Sequence, residues 1–277
     1  MWNAKTPSRK SLEFFSEAFP TTSGVCSLGD DREFIAGLYE SYDRAKGIPA
    51  VILQGNELSL ESRNMIHDAY DLTYKSRRLN HIRKELNKLT FKCVYCGFGE
   101  LSELDHYLPR SIYKAHAIHL NNLIPCCHVC NHIKSISNSS DASSQYLHAY
   151  YHLLPETTIL DAALNTFNGG FSIDFSIIGY VFNEPKNIMR ARYQFHQLNL
   201  NDRYEQEAIS MISNLMVGLN SAFGQGPQEL RAHLATGYLK SLKNENFGAN
   251  HWQTAIWRSL FLSPSLYEIG PQSTLNL

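Results

Sequence analysis

Between Leu58 and Lys92 the apolar residues Met65, Ala69, Leu72, Leu79, Ile82, Leu86 and Leu89 recur at spacings of 3, 4 and 7, the period of an amphipathic helix. Before them, residues 1–58 mix helical patches with breakers at Pro20, Gly24, Gly29, Gly47 and Pro49. Far downstream the period changes: Phe171, Ile173, Phe175 and Ile177 alternate after Gly169–Gly170, which predicts a strand. From Pro185 the helical pattern returns. Asp202 with Glu205 reads as a capping pair opening a helix that carries Ile209, Ile212, Leu215 and Leu219. Further helices are predicted over Pro227–Leu242 and Trp252–Leu262, and Ser137–Ser144 is a polar linker. No internal repeat is present. The pattern gives an α+β chain that is mostly α-helical, in three stretches. These are an N-terminal helical region (1–90), a cysteine-rich module (91–137) and a mostly helical C-terminal region (138–277) with a short strand segment.

Composition narrows the class. Hydrophobic residues make up 43% and aromatics 12% of 277 residues, which is enough for a packed core and excludes general disorder. A formal charge of −1 excludes the overall positive excess of a polyanion binder, so any basic surface is local. One such stretch exists: Lys75–Lys92 holds seven Lys/Arg against Glu85 alone. Arg77, Arg78, Arg83, Lys84 and Lys88 within it are candidates to face phosphates, although a solvated helix face has the same pattern. Residues 1–20 lack the apolar stretch of a signal peptide, and no run approaches the roughly 18 apolar residues of a membrane span. A soluble, cytoplasmic protein is expected.

The cysteines carry the most specific signal. Five of the six fall between Cys93 and Cys130, and four form two C-x-x-C pairs, Cys93–Cys96 and Cys127–Cys130, with 30 residues between the pairs. In a reducing compartment such thiols stay free, and the doubled spacing predicts a tetrahedral structural Zn²⁺ site. Cys126 is out of step with the motif and is expected to be a buried thiol, and Cys26 a core residue.

Between the two pairs stand Leu104-Asp105-His106 with Pro109, then Asn122-Leu123, and after the last cysteine Asn131 and Lys134. These ordered elements resemble the HNH endonucleases, the zinc-bearing branch of the ββα-metal nucleases, over about 42 residues. The resemblance implies a small ββα-metal module embedded between helical regions. It also implies that His106 is the general base, which suits an imidazole that is neutral at cellular pH. Asp105 and Asn131 would hold a catalytic Mg²⁺ or Mn²⁺ ion, an oxygen-rich set that these hard cations prefer. Because neighbouring strand residues face opposite ways, Asp105 and His106 need a twisted strand end or a bulge to share one cleft. Asn122 would fix the loop that positions the base. Lys134 belongs to the motif and is expected to meet phosphates, as are Arg110 and Lys114 nearby. His132 is a rival to Asn131 as ligand, His128 a solvent-facing spacer, and His116 and His119 either a helical metal pair or surface residues.

The function implied is a nuclease that nicks or cuts DNA through one centre, so that a double-strand break needs a homodimer, two nicks or a partner. The helices around the module further resemble the nuclease subunits of prokaryotic anti-phage defence systems of the Septu type, which work beside an ATPase subunit. Tyr146, Tyr150, Tyr151, Phe167 and Phe171 motivate a partner-docking role for the region after about Gln145. Three other readings stand beside this one: a stand-alone restriction-type endonuclease, a nuclease of structured RNA, and a zinc-ribbon module that binds without catalysis.

Overall fold

The apolar repeat between Leu58 and Lys92 faces a core, but as two helices rather than one. The structure, a computed structural model, describes residues 4–21, 28–167, 170–179 and 185–276; Cys26 lies outside them. Helices α1 (Ser11–Ala18) and α2 (Asp31–Ala45) come first, followed by α3 (Leu60–Ala69) and α4 (Asn80–Asn87). The predicted long helix breaks after Ala69, where a 3-10 turn (Tyr70–Thr73) and Ser76 at φ 67° reverse the chain. The Leu79 N–H donates to the Leu72 carbonyl at 2.9 Å and closes the reversal. Ile66, Leu79, Ile82 and Leu86 still bury together with Phe14, Phe15, Ile35 and Tyr39. Arg78 explains part of the basic run, because it donates to the carbonyls of Glu17 and Ala18 at the end of α1. Its charge serves a helix terminus there.

Strands β1 (Glu103–His106) and β2 (Leu123–Cys126) pair antiparallel, and α5 (His128–Lys134) follows directly. This is the ββα order. Leu104 of β1 and Leu123 of β2 belong to the same core as the four helices, so the cysteine module and the helices before it stabilise one another. Tyr146 and Tyr150 are buried in this same unit, which runs to Leu153. The Tyr150 hydroxyl donates to the Leu123 carbonyl at 2.9 Å. These two aromatics therefore pack the interior and do not form a docking face.

A second unit starts at Leu154. The predicted strand is β4 (Gly170–Ile177), with Ile173, Phe175 and Ile177 buried in alternation. Its partner, β3 (Leu160–Phe167), runs antiparallel from Leu160↔Ile177 to Phe167↔Gly170. Helices α6 (Lys186–Gln197), α7 (Leu200–Gly224), α8 (Pro227–Lys243), α9 (Trp252–Leu262), α10 (Pro264–Glu268) and α11 (Pro271–Leu275) complete it. Helix α7 begins two residues before the expected cap. Asn199, in the left-handed region, precedes it and donates to Asp202, which lies inside the first turn. Helix α7 packs on β4, α9 on β3, and α8 against both α7 and α9. The α8–α9 approach needs Gly237, where a Cβ would stand 2.5 Å from the Trp257 ring. Among the described residues no helix is long and apolar enough to cross a membrane.

The first unit also hides histidines. His116 and His119, expected on a surface, are wholly buried among Tyr39 and Tyr42, and His148 is buried beside them. Burial holds His116 and His148 well below the ordinary imidazole range and His119 down to about 3. The unfolded chain takes up protons at these residues below about pH 6.5, whereas the fold keeps the rings neutral. Their stabilising contribution is therefore fully present above pH 6.5 and is lost as the pH falls. Each ring adds a slope of up to about 1.4 kcal/mol per pH unit. Urea unfolding should show a midpoint that is level from pH 8 to 7 and drops steeply between 6.5 and 5. A midpoint unchanged down to pH 5 would mean that these rings are not buried neutral.

Candidate functional site

The four predicted cysteines converge. Their sulfurs lie within 4.8 Å of one another and all four residues are buried. Cys96 and Cys127 Sγ are 4.0 Å apart; a tetrahedral zinc with Zn–S bonds of about 2.3 Å sets its sulfurs about 3.8 Å apart. The donor set fits a zinc-type metal site. Two local features shape the first pair. The Gly97 N–H donates to the Cys93 carbonyl at 2.7 Å, with Gly97 at φ 89°. Gly99 packs against the cluster, where a Cβ would stand 2.7 Å from Cys127 Sγ, and its N–H donates to Cys96 Sγ at 3.3 Å. Hydrogen bonds from Cys130, Cys93 and Cys96 hold Cys127 far below the usual thiol range, while burial pushes the Cys93 thiol up. Cys126 is buried and outside the cluster, as expected.

Helix α5 starts at the second cysteine pair and lies along one face of β1. Glu103 and Asp105, two apart on the strand, both face it, and they meet residues on successive turns of the helix. Glu103 accepts from the Asn131 side-chain amide and pairs with His128 Nδ1. Asp105 meets Lys134, whose ammonium stands 3.1 Å from Oδ1 and 2.9 Å from Oδ2. The Tyr95 hydroxyl donates to Asp105 Oδ2 at 2.6 Å. Lys134 also donates to the carbonyls of His106 and Tyr107, at 3.0 and 3.2 Å. Both charged side chains are buried, at 1% and 3% exposure for Lys134 and Asp105. This corrects the expectation that Lys134 meets phosphates: its ammonium is enclosed and bonded to three acceptor groups. It also bears on the cation expected at Asp105 and Asn131. With an ammonium on one side and a phenol on the other, the Asp105 carboxylate does not fit that role, and Asn131 faces Glu103 instead.

His106 points to the other side of β1. Its ring lies 4.4 Å from that of Tyr70, and its Nε2–H donates to the Ala117 carbonyl at 2.9 Å. That bond leaves Nδ1 as the nitrogen with the lone pair. Burial, helped by the charges of Arg110 and Lys134, pushes the imidazole down to about 3. The ring is therefore neutral at any cellular pH. The strand has no bulge: alternation sends His106 and Asp105 to opposite faces of β1, and both nonetheless line one cleft. Asn122, wholly buried, holds the connection between the strands. Its Oδ1 accepts from the Leu108 N–H at 2.7 Å and its Nδ2 donates to the carbonyls of Leu108 and His116, both at 3.1 Å. The Tyr42 hydroxyl donates to the same Oδ1 at 2.9 Å. Asn122 thereby sets the loop that presents the Ala117 carbonyl to the imidazole.

His106 lines a cleft of about 650 Å³ together with Glu103, Asp105, Asn131, Tyr70, Arg83 and Arg110. Arg83 donates to the Tyr70 hydroxyl and lies over the Tyr74 ring. Arg110 lies over Tyr70 and pairs with Asp71 at 3.1 Å. Lys75 and His67 also line the walls. The other predicted phosphate contacts lie elsewhere: Lys114 donates to Asn64, and Arg77, Lys84 and Lys88 do not border this cleft. His132 is exposed and stacks on His128. Glu103 was missed in the sequence, although its place two residues before Asp105 puts it on the same strand face. Burial would raise its carboxyl, but the hydrogen bonds from Asn131 and His128 outweigh that and leave it below its ordinary value.

No family model matches the chain, and no solved structure matches it. It is similar to Protein ea31 of Escherichia phage lambda, with 25% identity over 189 residues. The match takes in 64% of this chain and 63% of that protein, so it spans less than two thirds of that relative's length.

Lys134→Ala tests the buried pair. It leaves the Asp105 carboxylate enclosed without a counter-charge, a loss of about 3–5 kcal/mol. We expect that drop in chemical denaturation at pH 7, with Asp105→Asn/Lys134→Met recovering much of it. A Lys134→Ala protein as stable as the parent would mean that the ammonium is not enclosed.

Proposed function

We propose that the chain is a nuclease of the HNH type that hydrolyses phosphodiester bonds of DNA, with His106 as the general base. The observation that supports this best is the state of His106. The ring is neutral, fixed through Nε2 to the Ala117 carbonyl at 2.9 Å, and borders a 650 Å³ cleft walled by arginines. A water in that cleft can pass a proton to Nδ1 as it attacks phosphorus. Arg83 and Arg110 then lie where they offset the charge gathering on the phosphoryl oxygens. Asn122 acts through the loop and keeps the ring aimed. A divalent cation, as the HNH resemblance implies, would neutralise the leaving 3′ oxygen. With a formal charge of −1 the chain has little long-range attraction to DNA. That favours delivery by a partner, and the ATPase-bearing defence assemblies named by the resemblance are the kind of partner that fits.

Supercoiled plasmid incubated with the zinc-loaded protein in Mg²⁺, in Mn²⁺ and in EDTA is the direct test. Nicking should require the added cation and should fall by about 10²–10⁴-fold in His106→Ala. The base works deprotonated, so activity is present above its folded pKa and lost as the pH falls through it. With the ring pushed down to about 3, the rate should stay level from pH 8 through 6.5 and show no loss at the ordinary imidazole value. His106→Ala nicking at the parent rate would defeat the assignment, and a substrate limited to RNA would redirect it.

A further inference from the structure

Resting on the nuclease reading, we propose that the divalent cation of this cleft is held by Glu103 and Asn131, and not by Asp105. The ligands would be a Glu103 carboxylate oxygen and the Asn131 amide oxygen, with water completing the sphere around Mg²⁺ or Mn²⁺. Three observations lead here. First, Asp105 is already neutralised. A dication bound to it would sit beside the Lys134 ammonium, which is 2.9 Å from Oδ2, and expelling that ammonium would strip hydrogen bonds from the carbonyls of His106 and Tyr107.

Second, Glu103 occupies the same strand face two residues earlier, opposite Asn131 one helical turn before Lys134. Its side chain is 31% exposed, and Glu103, Asn131 and His106 border the same cleft. Asp105 reaches the same cleft but is only 3% exposed and bonded to Lys134, so the open carboxylate there is Glu103.

Third, the partners already have the form of a ligand pair. His128 takes one Glu103 oxygen, and the Asn131 amide meets the other. An amide presents a nitrogen or an oxygen to the same point after a half-turn of its terminal torsion. Without a cation Asn131 donates its N–H to the carboxylate. With one, the half-turn brings Oδ1 to face the Glu103 oxygen, an arrangement that two oxygens tolerate only with a positive ion between them. Two oxygen ligands with several retained waters are the usual holding of Mg²⁺ and Mn²⁺. His128 then orients the ligating carboxylate from outside, as the partners of metal ligands do.

The experiment is Mn²⁺ titration of the full zinc-loaded chain, reading free Mn²⁺ by electron paramagnetic resonance in the absence of nucleic acid. Glu103→Gln and Asn131→Ala should each weaken binding by about tenfold or more, with zinc content and melting temperature unchanged. Asp105→Asn, where it folds, should bind within about threefold of the parent. Glu103→Gln binding Mn²⁺ as the parent does would overturn the proposal whether or not Asp105→Asn folds, as would a parent that binds no Mn²⁺. Plasmid nicking separates this failure from that of the nuclease reading. A parent that nicks with Mg²⁺ while Glu103→Gln nicks equally well loses the seat and keeps the enzyme. Mn²⁺ held through Glu103 without cleavage of DNA or RNA keeps the seat and loses the enzyme.

Discussion

A seven-residue helix cannot hold itself in water, since nucleating a helical turn costs more than so few hydrogen bonds return. Helix α5 spans only His128–Lys134, yet it carries Asn131, and the cleft depends on where it lies. It is pinned at both ends. At its start Cys127 and Cys130 gather with Cys93 and Cys96, and a zinc-type ion held by the four would tie the helix to the turn bearing the first pair. At its end Lys134 reaches into the protein to Asp105 and to two backbone carbonyls. With the ends fixed, rotation and sliding of α5 along β1 are blocked, and Asn131 has one position against Glu103.

The fixed helix also sorts the strand. A two-residue period sends Glu103 and Asp105 to the helix side and His106 to the opposite side, where Tyr70 and the Ala117 carbonyl receive it. The three acid–base residues of a four-residue strand thus receive different environments. Asp105 is enclosed with a counter-ion, Glu103 stands at the rim with an amide and an imidazole, and His106 is kept neutral by its half-buried pocket and nearby cations. Burial and charge, more than residue type, decide what each can do.

Much of this was legible in the sequence because it depends on local period or on spacing. The doubled C-x-x-C spacing located the cysteine cluster, the alternation of Ile173, Phe175 and Ile177 located β4, and the helices at Pro227 and Trp252 begin at those residues. What was not legible depends on partners distant in the chain. Strand β3 holds Asp161, Ala162, Ala163 and Asn165, which have weak strand propensity, and it exists because β4 lies beside it. The break between α3 and α4 comes from the Leu72–Leu79 reversal, which keeps every apolar position on the core while abandoning the helix that their period suggested. His116 and His119 looked like surface histidines because nothing near them in the chain shows that Tyr39 and Tyr42 of α2 cover them.

The roles within the HNH-like motif divide along the same line. A lysine after the last cysteine pair suits a phosphate contact in any local reading, and only the fold reveals that its ammonium is consumed by Asp105. The arginines left at the cleft are themselves engaged: Arg110 with Asp71, and both Arg83 and Arg110 over the ring of Tyr70. Few charges therefore remain to exchange with the counterions of a polyanion, and affinity resting on them alone would be modest and only weakly salt-dependent. On the nuclease reading proposed above, such a cleft would act on a phosphodiester brought to it, because what it offers is a fixed imidazole and an oriented carboxylate–amide pair rather than a strong electrostatic grip.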